Sequence, residues 1–270
     1  MFYNAVNKSV KIDNTEMDYI SFGNGKKNLI MIPGLGDGLK TVKGTAIPFS
    51  IMYREYAKDY KVYVFSRKNK IEEGYSTKDM ARDLAIVLKE LNIYKSSIIG
   101  ISQGGMIAQH LAIDYPEFVD KLVLGVTVAK ANENVKSVVS NWIEMAKVGD
   151  YKRIIIDTTE KSYSEDGIKK YRWLYPIITR VGNPKDFTRF IIQANACINH
   201  DAYDKLSMIK CDTLVIGGYS DKIVGPNSSE EISRQIPNSK LVVFKGLGHM
   251  AYEEAKDFNT IVLNFLNSYK

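Results

Sequence analysis

The sequence predicts an α/β fold: a mostly parallel β-sheet with helices on both faces, interrupted by an inserted helical cap. Three observations predict it. Short apolar runs alternate with segments of helical spacing from residue 28 to residue 126. The alternation stops near Ala129, and a helical pattern then continues to about Ala202. Strands and helices alternate again from Thr213 onward, as expected of crossover connections that keep neighbouring strands parallel.

Two strands are expected first, near Ser9–Ile12 and Met17–Phe22, before a Gly-Asn-Gly turn at 23–25. Asn28–Ile32 (NLIMI) is a short buried strand that ends at Pro33 and the glycine-rich PGLGDG; Lys61–Phe65 (KVYVF) is another. Thr77 is expected to cap a helix in which Met80, Leu84, Val87, Leu88 and Leu91 recur at helical spacing. A strand ending at Ile101, a helix from Ser102 to about Tyr115 and the strand Leu122–Val126 follow. Within the insertion, Trp142, Ile143, Met145, Ile154, Ile155, Ile156, Trp173, Phe190 and Ile191 are the candidate buried positions. The strand Thr213–Ile216, a helix at Ser229–Gln235, the strand Leu241–Phe244 and a helix through Ile261, Leu263 and Leu266 complete the chain. Residues 1–128 and 204–270 are thereby assigned to the core, and 129–203 to the cap.

Composition narrows the function classes. The 270 residues are 45% hydrophobic and 25% charged, as in soluble globular proteins. No run approaches the roughly 18 apolar residues of a membrane helix, so no span is expected. The opening MFYNAVNKSVKIDN lacks the apolar stretch of a secretory signal, which points to the cytoplasm. The net charge of +6 is spread along the chain among Asp and Glu, with no basic block, which argues against a nucleic-acid partner. Cys197 and Cys211 are too few for a disulfide framework and read as buried hydrophobes. Cys197, His200 and Asp201 cluster on one short segment without a fourth ligand, so no metal is expected. Homo-oligomerisation is left open.

The most informative stretch is SIIGISQGGMIAQH, residues 97–110. A strand runs into Gly100-Ile101-Ser102-Gln103-Gly104, the G-x-S-x-G pattern, and then into a helix. A serine hydroxyl is a weak nucleophile and must be exposed beside a base. Ser102 is the candidate nucleophile, and the chain offers three histidines as partners. His110 lies about two helical turns beyond Ser102, too far along the same element. His200 lies near the end of the insertion, where an ordinary polar contact is expected. His249 sits in the loop KGLGHMAYEE just after a strand, at the carboxyl edge of the sheet, and is the candidate base. Asp221, in GGYSDKIV after the strand Thr213–Ile216, shares that edge and is the candidate acid; Asp212 precedes the same strand and belongs at the other end. The backbone N–H groups of Gln103 and Leu35 are expected to form the oxyanion hole. A phosphate cradle at PGLGDG is excluded, because no Gly-Lys-Ser/Thr or immediate helix follows.

With GISQGG at 100–105, PGLGD at 33–37, GGYSD at 217–221 and GLGHMAYEE at 246–254, the chain resembles the α/β-hydrolase superfamily over nearly its full length. The resemblance implies a capped serine hydrolase that works through an acyl-enzyme without metal or organic cofactor. Serine at 102 speaks against dehalogenases and epoxide hydrolases, which carry aspartate there. Two features depart from the pattern. Pro33 stands where members often have His-Gly, and RKNKIEEGYS lacks the usual Asp-Arg-Gly start, so one wall of the entrance is expected to differ.

An insertion at this position looks like a cap that shapes the substrate pocket and excludes water. Trp142, Met145, Trp173 and Tyr175 are candidate substrate contacts, with Phe187 and Phe190 beside them. Residues 130–200 carry twelve basic and eight acidic side chains, an excess that solvated helix faces also explain. The leading expectation is hydrolysis of carboxylic esters of small, largely apolar substrates, with activity rising with pH as the base becomes neutral. Lactones are close chemical alternatives, as in enol-lactonases; carbon–carbon bond hydrolases keep the same triad. A ligand sensor on the same fold is the non-enzymatic alternative.

Overall fold

The computed structural model describes residues 2–268. They form an eight-stranded sheet: β1 (Val6–Ile12), β2 (Thr15–Phe22), β3 (Lys27–Ile32), β4 (Tyr60–Lys68), β5 (Ser96–Ile101), β6 (Val119–Gly125), β7 (Asp212–Gly218) and β8 (Ser239–Phe244). Their order is β1-β2-β4-β3-β5-β6-β7-β8, antiparallel at β1–β2–β4 and parallel from β4 to β8. The sequence places every strand but trims several: β1 begins three residues before Ser9, and β4 runs three beyond Phe65. All of those extra residues but Val6, which is exposed, are polar ladder positions that an apolar pattern does not mark.

Eleven α-helices are described: α1 (Ala46–Met52), α2 (Thr77–Glu90), α3 (Gln103–Asp114), α4 (Glu133–Lys147), α5 (Tyr151–Ser162), α6 (Glu165–Tyr171), α7 (Tyr175–Ile178), α8 (Thr188–Ile198), α9 (Ser228–Gln235), α10 (Ala251–Glu254) and α11 (Phe258–Asn267). Strand β3 shows how they cover the sheet. Ile30 and Ile32 face one core with Met80, Leu84 and Leu88 of α2 and Ile107 and Leu111 of α3. Leu29 and Met31 face the other, with Ala46 of α1 and Val262 and Phe265 of α11. Central strands are buried on both faces, so they read as continuous apolar runs rather than as alternation.

One expected cap is corrected. Ser76, not Thr77, closes the start of α2: its hydroxyl accepts the Asp79 N–H at 3.1 Å, and the Asp79 carboxylate accepts the Ser76 N–H at 3.0 Å. Thr77 is the first helical residue, and its buried hydroxyl meets Nδ1 of His200 at 3.0 Å.

Helices α4 to α8 fill the chain between β6 and β7. Val135, Val139, Trp142 and Ile143 of α4, Ile154 of α5, and Phe190, Ala194 and Cys197 of α8 form a third core that includes Met106, Ile223 and Val224. The two stems of this insertion are zipped together. Lys130 and Asp201 form an antiparallel bridge, the Ala131 N–H donates to His200 O at 2.9 Å, and the Ala202 N–H donates to Ala129 O at 2.8 Å. Ile155, Ile156 and Ile191 are only partly buried, and Trp173 is 70% exposed.

Candidate active site

The loops after β3, β5, β7 and β8 all leave the carboxyl edge of the sheet, and the order reverses between β3 and β5. Such a switch point opens a crevice. Ser102 lies in it, directly after β5, with φ +55° and ψ −119°. A left-handed conformation of this kind costs a non-glycine residue about 1–3 kcal/mol unless its surroundings hold it. Here the Ser102 N–H donates to Gly125 O at 2.9 Å, while its carbonyl accepts the Thr127 hydroxyl at 2.8 Å and the Gly105 N–H at 2.8 Å. Glycine is required at two neighbours by sterics. A Cβ on Gly104 would stand 1.9 Å from Ile32 O, and one on Gly100 would stand 2.5 Å from Gly104 O.

Ser102 Oγ lies 3.0 Å from His249 Nε2, and His249 Nδ1 lies 2.8 Å from Asp221 Oδ2. A carboxylate only accepts, so Nδ1 carries the proton and donates to Asp221, leaving Nε2 to accept from the serine hydroxyl. The other oxygen of Asp221 accepts the N–H groups of Ile223 at 2.8 Å and Val224 at 3.0 Å, which fixes the carboxylate. Asp221 and His249 are buried. The His249 loop is tied to the insertion, since the Met250 N–H donates to Ser162 O at 2.9 Å and Glu254 accepts the Ser164 N–H at 2.9 Å.

Gln103 is the first residue of α3, and Leu35 opens a short 3-10 turn, Leu35–Gly38. First-turn N–H groups have no acceptor within their own helix, so both are available to an incoming oxygen. Gly34 joins the two segments sterically: a Cβ there would stand 3.3 Å from Ser102 Cβ.

These residues open on a cavity of about 450 Å³. Val135, Val139 and Trp142 line it from α4, and Met106, Ile223 and Val224 line it from the core. Of the expected contacts, Trp142 lines the cavity, its indole N–H donating to Asp157 at 2.7 Å. Met145 does not: it packs inside the third core. Trp173 stands in solvent, and Tyr175 is half-buried outside the lining. Phe187 and Phe190 also miss the cavity, Phe190 being packed against Gly38. Val135, Val139, Thr158, Ser162 and Tyr252 line it without having been anticipated. The i, i+4, i+7 spacing of Val135, Val139 and Trp142 was the available signal, since it places all three on one helix face. The entrance is also corrected: none of residues 67–76 lines the cavity.

The remaining candidates have other partners. His110 and His200 meet edge to face with ring centroids 5.3 Å apart. Cys197 accepts from Gln103 at 3.0 Å, and Asp201 pairs with Lys130 at 2.6 Å.

A family model for the alpha/beta hydrolase fold matches residues 27–256. The chain belongs to the α/β hydrolase fold family. This α/β hydrolase is 29% identical to the 2-hydroxy-6-oxononadienedioate/2-hydroxy-6-oxononatrienedioate hydrolase 1 of Pseudomonas putida, over 96% of each chain. Among solved structures it resembles MGS-M2, an alpha/beta hydrolase enzyme from a Medee basin deep-sea metagenome library. The TM-score is 0.83 at 24% identity, covering 97% of this chain and 98% of that one. It also resembles the enol-lactonase of Burkholderia xenovorans LB400, with TM-score 0.82 at 18% identity, covering 97% of this chain and 100% of that one. A shared fold does not fix the bond cleaved, so the substrate of this α/β hydrolase must be argued from its site. Among its described residues, no helix is long and apolar enough to cross a membrane.

Proposed function

We propose that this hydrolase cleaves carboxylic esters of small, largely apolar molecules through Ser102, His249 and Asp221. The observation that carries the reading is the hydrogen-bonded series of these three side chains at the floor of an apolar cavity. Ser102 Oγ attacks the carbonyl carbon while His249 Nε2 takes its proton. Asp221 steadies the resulting imidazolium, and the Leu35 and Gln103 N–H groups receive the oxyanion. Collapse of the intermediate expels the alcohol, which leaves with the proton from His249. Water then attacks the acyl-enzyme by the same steps and frees Ser102. Residues 129–203 act as a cap that keeps bulk water from the acyl-enzyme.

The cavity lining supports an uncharged substrate. Its charged members are Asp37, held by two guanidiniums, and Lys40, which is exposed. The Pseudomonas putida dioate hydrolase and the Burkholderia xenovorans enol-lactonase motivate a second reading, carbon–carbon cleavage or lactone opening with the same triad. A doubly charged acid would need buried cations facing the serine. Lys40 alone is a poor match.

Replacing Ser102 by alanine tests the proposal with p-nitrophenyl acetate. Turnover is expected to fall by at least about a thousandfold, because members of a triad act as a unit. An alanine variant as fast as the wild type overturns it. Negligible ester turnover beside fast lactone or diketone cleavage selects the second reading instead.

A further inference from the structure

Behind the serine lies a buried guanidinium that the steps above do not use. Arg67, at the end of β4, is 2% exposed. Its Nη2 donates to Pro33 O at 2.6 Å and to Gln103 Oε1 at 2.8 Å. One nitrogen therefore joins the loop that carries Leu35 to the residue that opens α3. The Gln103 side chain is fully buried, and its own amide donates to Gln193 O at 2.7 Å and Cys197 Sγ at 3.0 Å.

The cluster reaches further. Asp37 Oδ2 accepts the Arg67 N–H at 3.1 Å, Arg189 Nη2 at 2.8 Å and Gln193 Nε2 at 3.3 Å. Arg189 Nη2 also donates to Arg67 O at 2.9 Å, and its Nη1 donates to Asp37 O. Burial pushes the Asp37 carboxyl up, but Arg189 and Arg67 outweigh it and hold the group below its ordinary range. Burial pushes the Cys197 thiol up to about 12, so it stays neutral. Two guanidiniums against one carboxylate leave a surplus positive charge inside the protein. Among the described residues, Nε and Nη1 of Arg67 and Nε of Arg189 have no hydrogen-bond partner.

A buried, incompletely paired guanidinium is expensive, and an apolar core of the same shape is often as stable. We propose that Arg67 is a positioning residue of the oxyanion site: it fixes the separation of the two segments whose N–H groups, at Leu35 and Gln103, receive the developing negative charge, with the cluster's surplus positive charge behind them. Arg189 extends the same tie to α8, so the insertion and the oxyanion loop are set together. The inference rests on the proposed use of Ser102.

Two variants test it: Arg67→Met, which removes donors and charge but keeps an apolar stem, and Gln103→Leu, which keeps the main-chain N–H and the charge but removes the acceptor. An aliquot of each is labelled to completion with a fluorophosphonate to count active sites, and the rest is kept unlabelled for kinetics. Ester kinetics are then measured, with affinity for a trifluoromethyl ketone that forms a tetrahedral oxyanion on serine. The kcat per active site is expected to fall about 100-fold in Arg67→Met, the lower end of the range for losing one oxyanion donor, and about 10-fold in Gln103→Leu, below that range because the main-chain N–H and the charge remain. The ketone's affinity should fall in proportion, with KM changed less than about twofold, because only transition-state interactions are lost. The acid limb of the pH profile should stay in place. If a variant keeps wild-type kcat per active site and wild-type ketone affinity while only melting earlier, Arg67 is packing and the inference fails. Should Arg67→Met not fold, Gln103→Leu decides alone. A wild-type protein that is not labelled at Ser102 sinks the proposed function instead.

Discussion

Two imidazoles in this molecule each face a hydroxyl oxygen at 3.0 Å: His249 faces Ser102, and His200 faces Thr77. Both rings are buried, at 7% and 2% exposure. Their other nitrogens differ. Nδ1 of His249 meets the fixed carboxylate of Asp221, whereas among the described residues no carboxylate accepts from Nε2 of His200, and the adjacent Asp201 is engaged by Lys130. Burial, reinforced by His110, pulls His200 down to about 3. The backbones differ as well, Ser102 standing at φ +55° and Thr77 opening an ordinary helix. A hydroxyl within reach of an imidazole therefore carries no chemistry by itself. The base needs a neighbour that stabilises the cation it becomes, and the hydroxyl must be turned toward a cavity.

The sharpest way to break this contrast is to make the His249 site resemble the other. Asp221→Asn removes the stabilising charge and favours the wrong tautomer. Turnover is expected to fall about 10⁴-fold, measured on p-nitrophenyl acetate with sites counted by fluorophosphonate. A loss below tenfold would mean that the carboxylate is not what separates the two histidines. The converse change, Thr77→Ser in a Ser102→Ala background, should leave residue 77 unlabelled by the same probe.

A smaller effect lies at His200. Its folded-state pKa is depressed below an unfolded value of about 6.5, so the unfolded chain binds the extra proton. The stability is fully present above that unfolded value and is lost as pH falls toward the folded one, by up to about 1.4 kcal/mol per pH unit. His110, also lowered chiefly by burial, adds in the same direction. Denaturant titrations of His200→Gln between pH 7 and 5 should show a flatter loss than the wild type. Equal slopes would assign the acid sensitivity elsewhere. The same comparison of like side chains extends to the two indoles. Trp142→Phe removes a hydrogen bond to Asp157 at the cavity wall and should cost about 1–3 kcal/mol, whereas Trp173→Phe in solvent should stay within about 0.5 kcal/mol.

What the sequence disclosed follows from locality. The strands, the serine turn and the edge on which Asp221 and His249 lie were legible because short apolar runs and glycine spacing are set by neighbouring residues. Ser76 was missed beside Thr77 because both are capping types, and Asp79 decides between them only through geometry. Met145 and Trp173 read as pocket residues because periodicity shows that a helix has an apolar face, not what that face meets. The Asp37–Arg67–Arg189 cluster left no trace at all. Its members lie 30 to 152 residues apart and look like surface charges until the loop after β3, the end of β4 and α8 are brought together.

The bridge between Lys130 and Asp201 bears on how such a molecule diversifies. A segment that departs and returns through one doorway is an interchangeable part. Residues 131–200 leave and rejoin the core at one point, so a change in their length re-threads no strand. Any replacement has to supply a counterpart to Arg189 for the carboxylate it leaves behind, and acceptors for the Gln103 amide and the Met250 N–H.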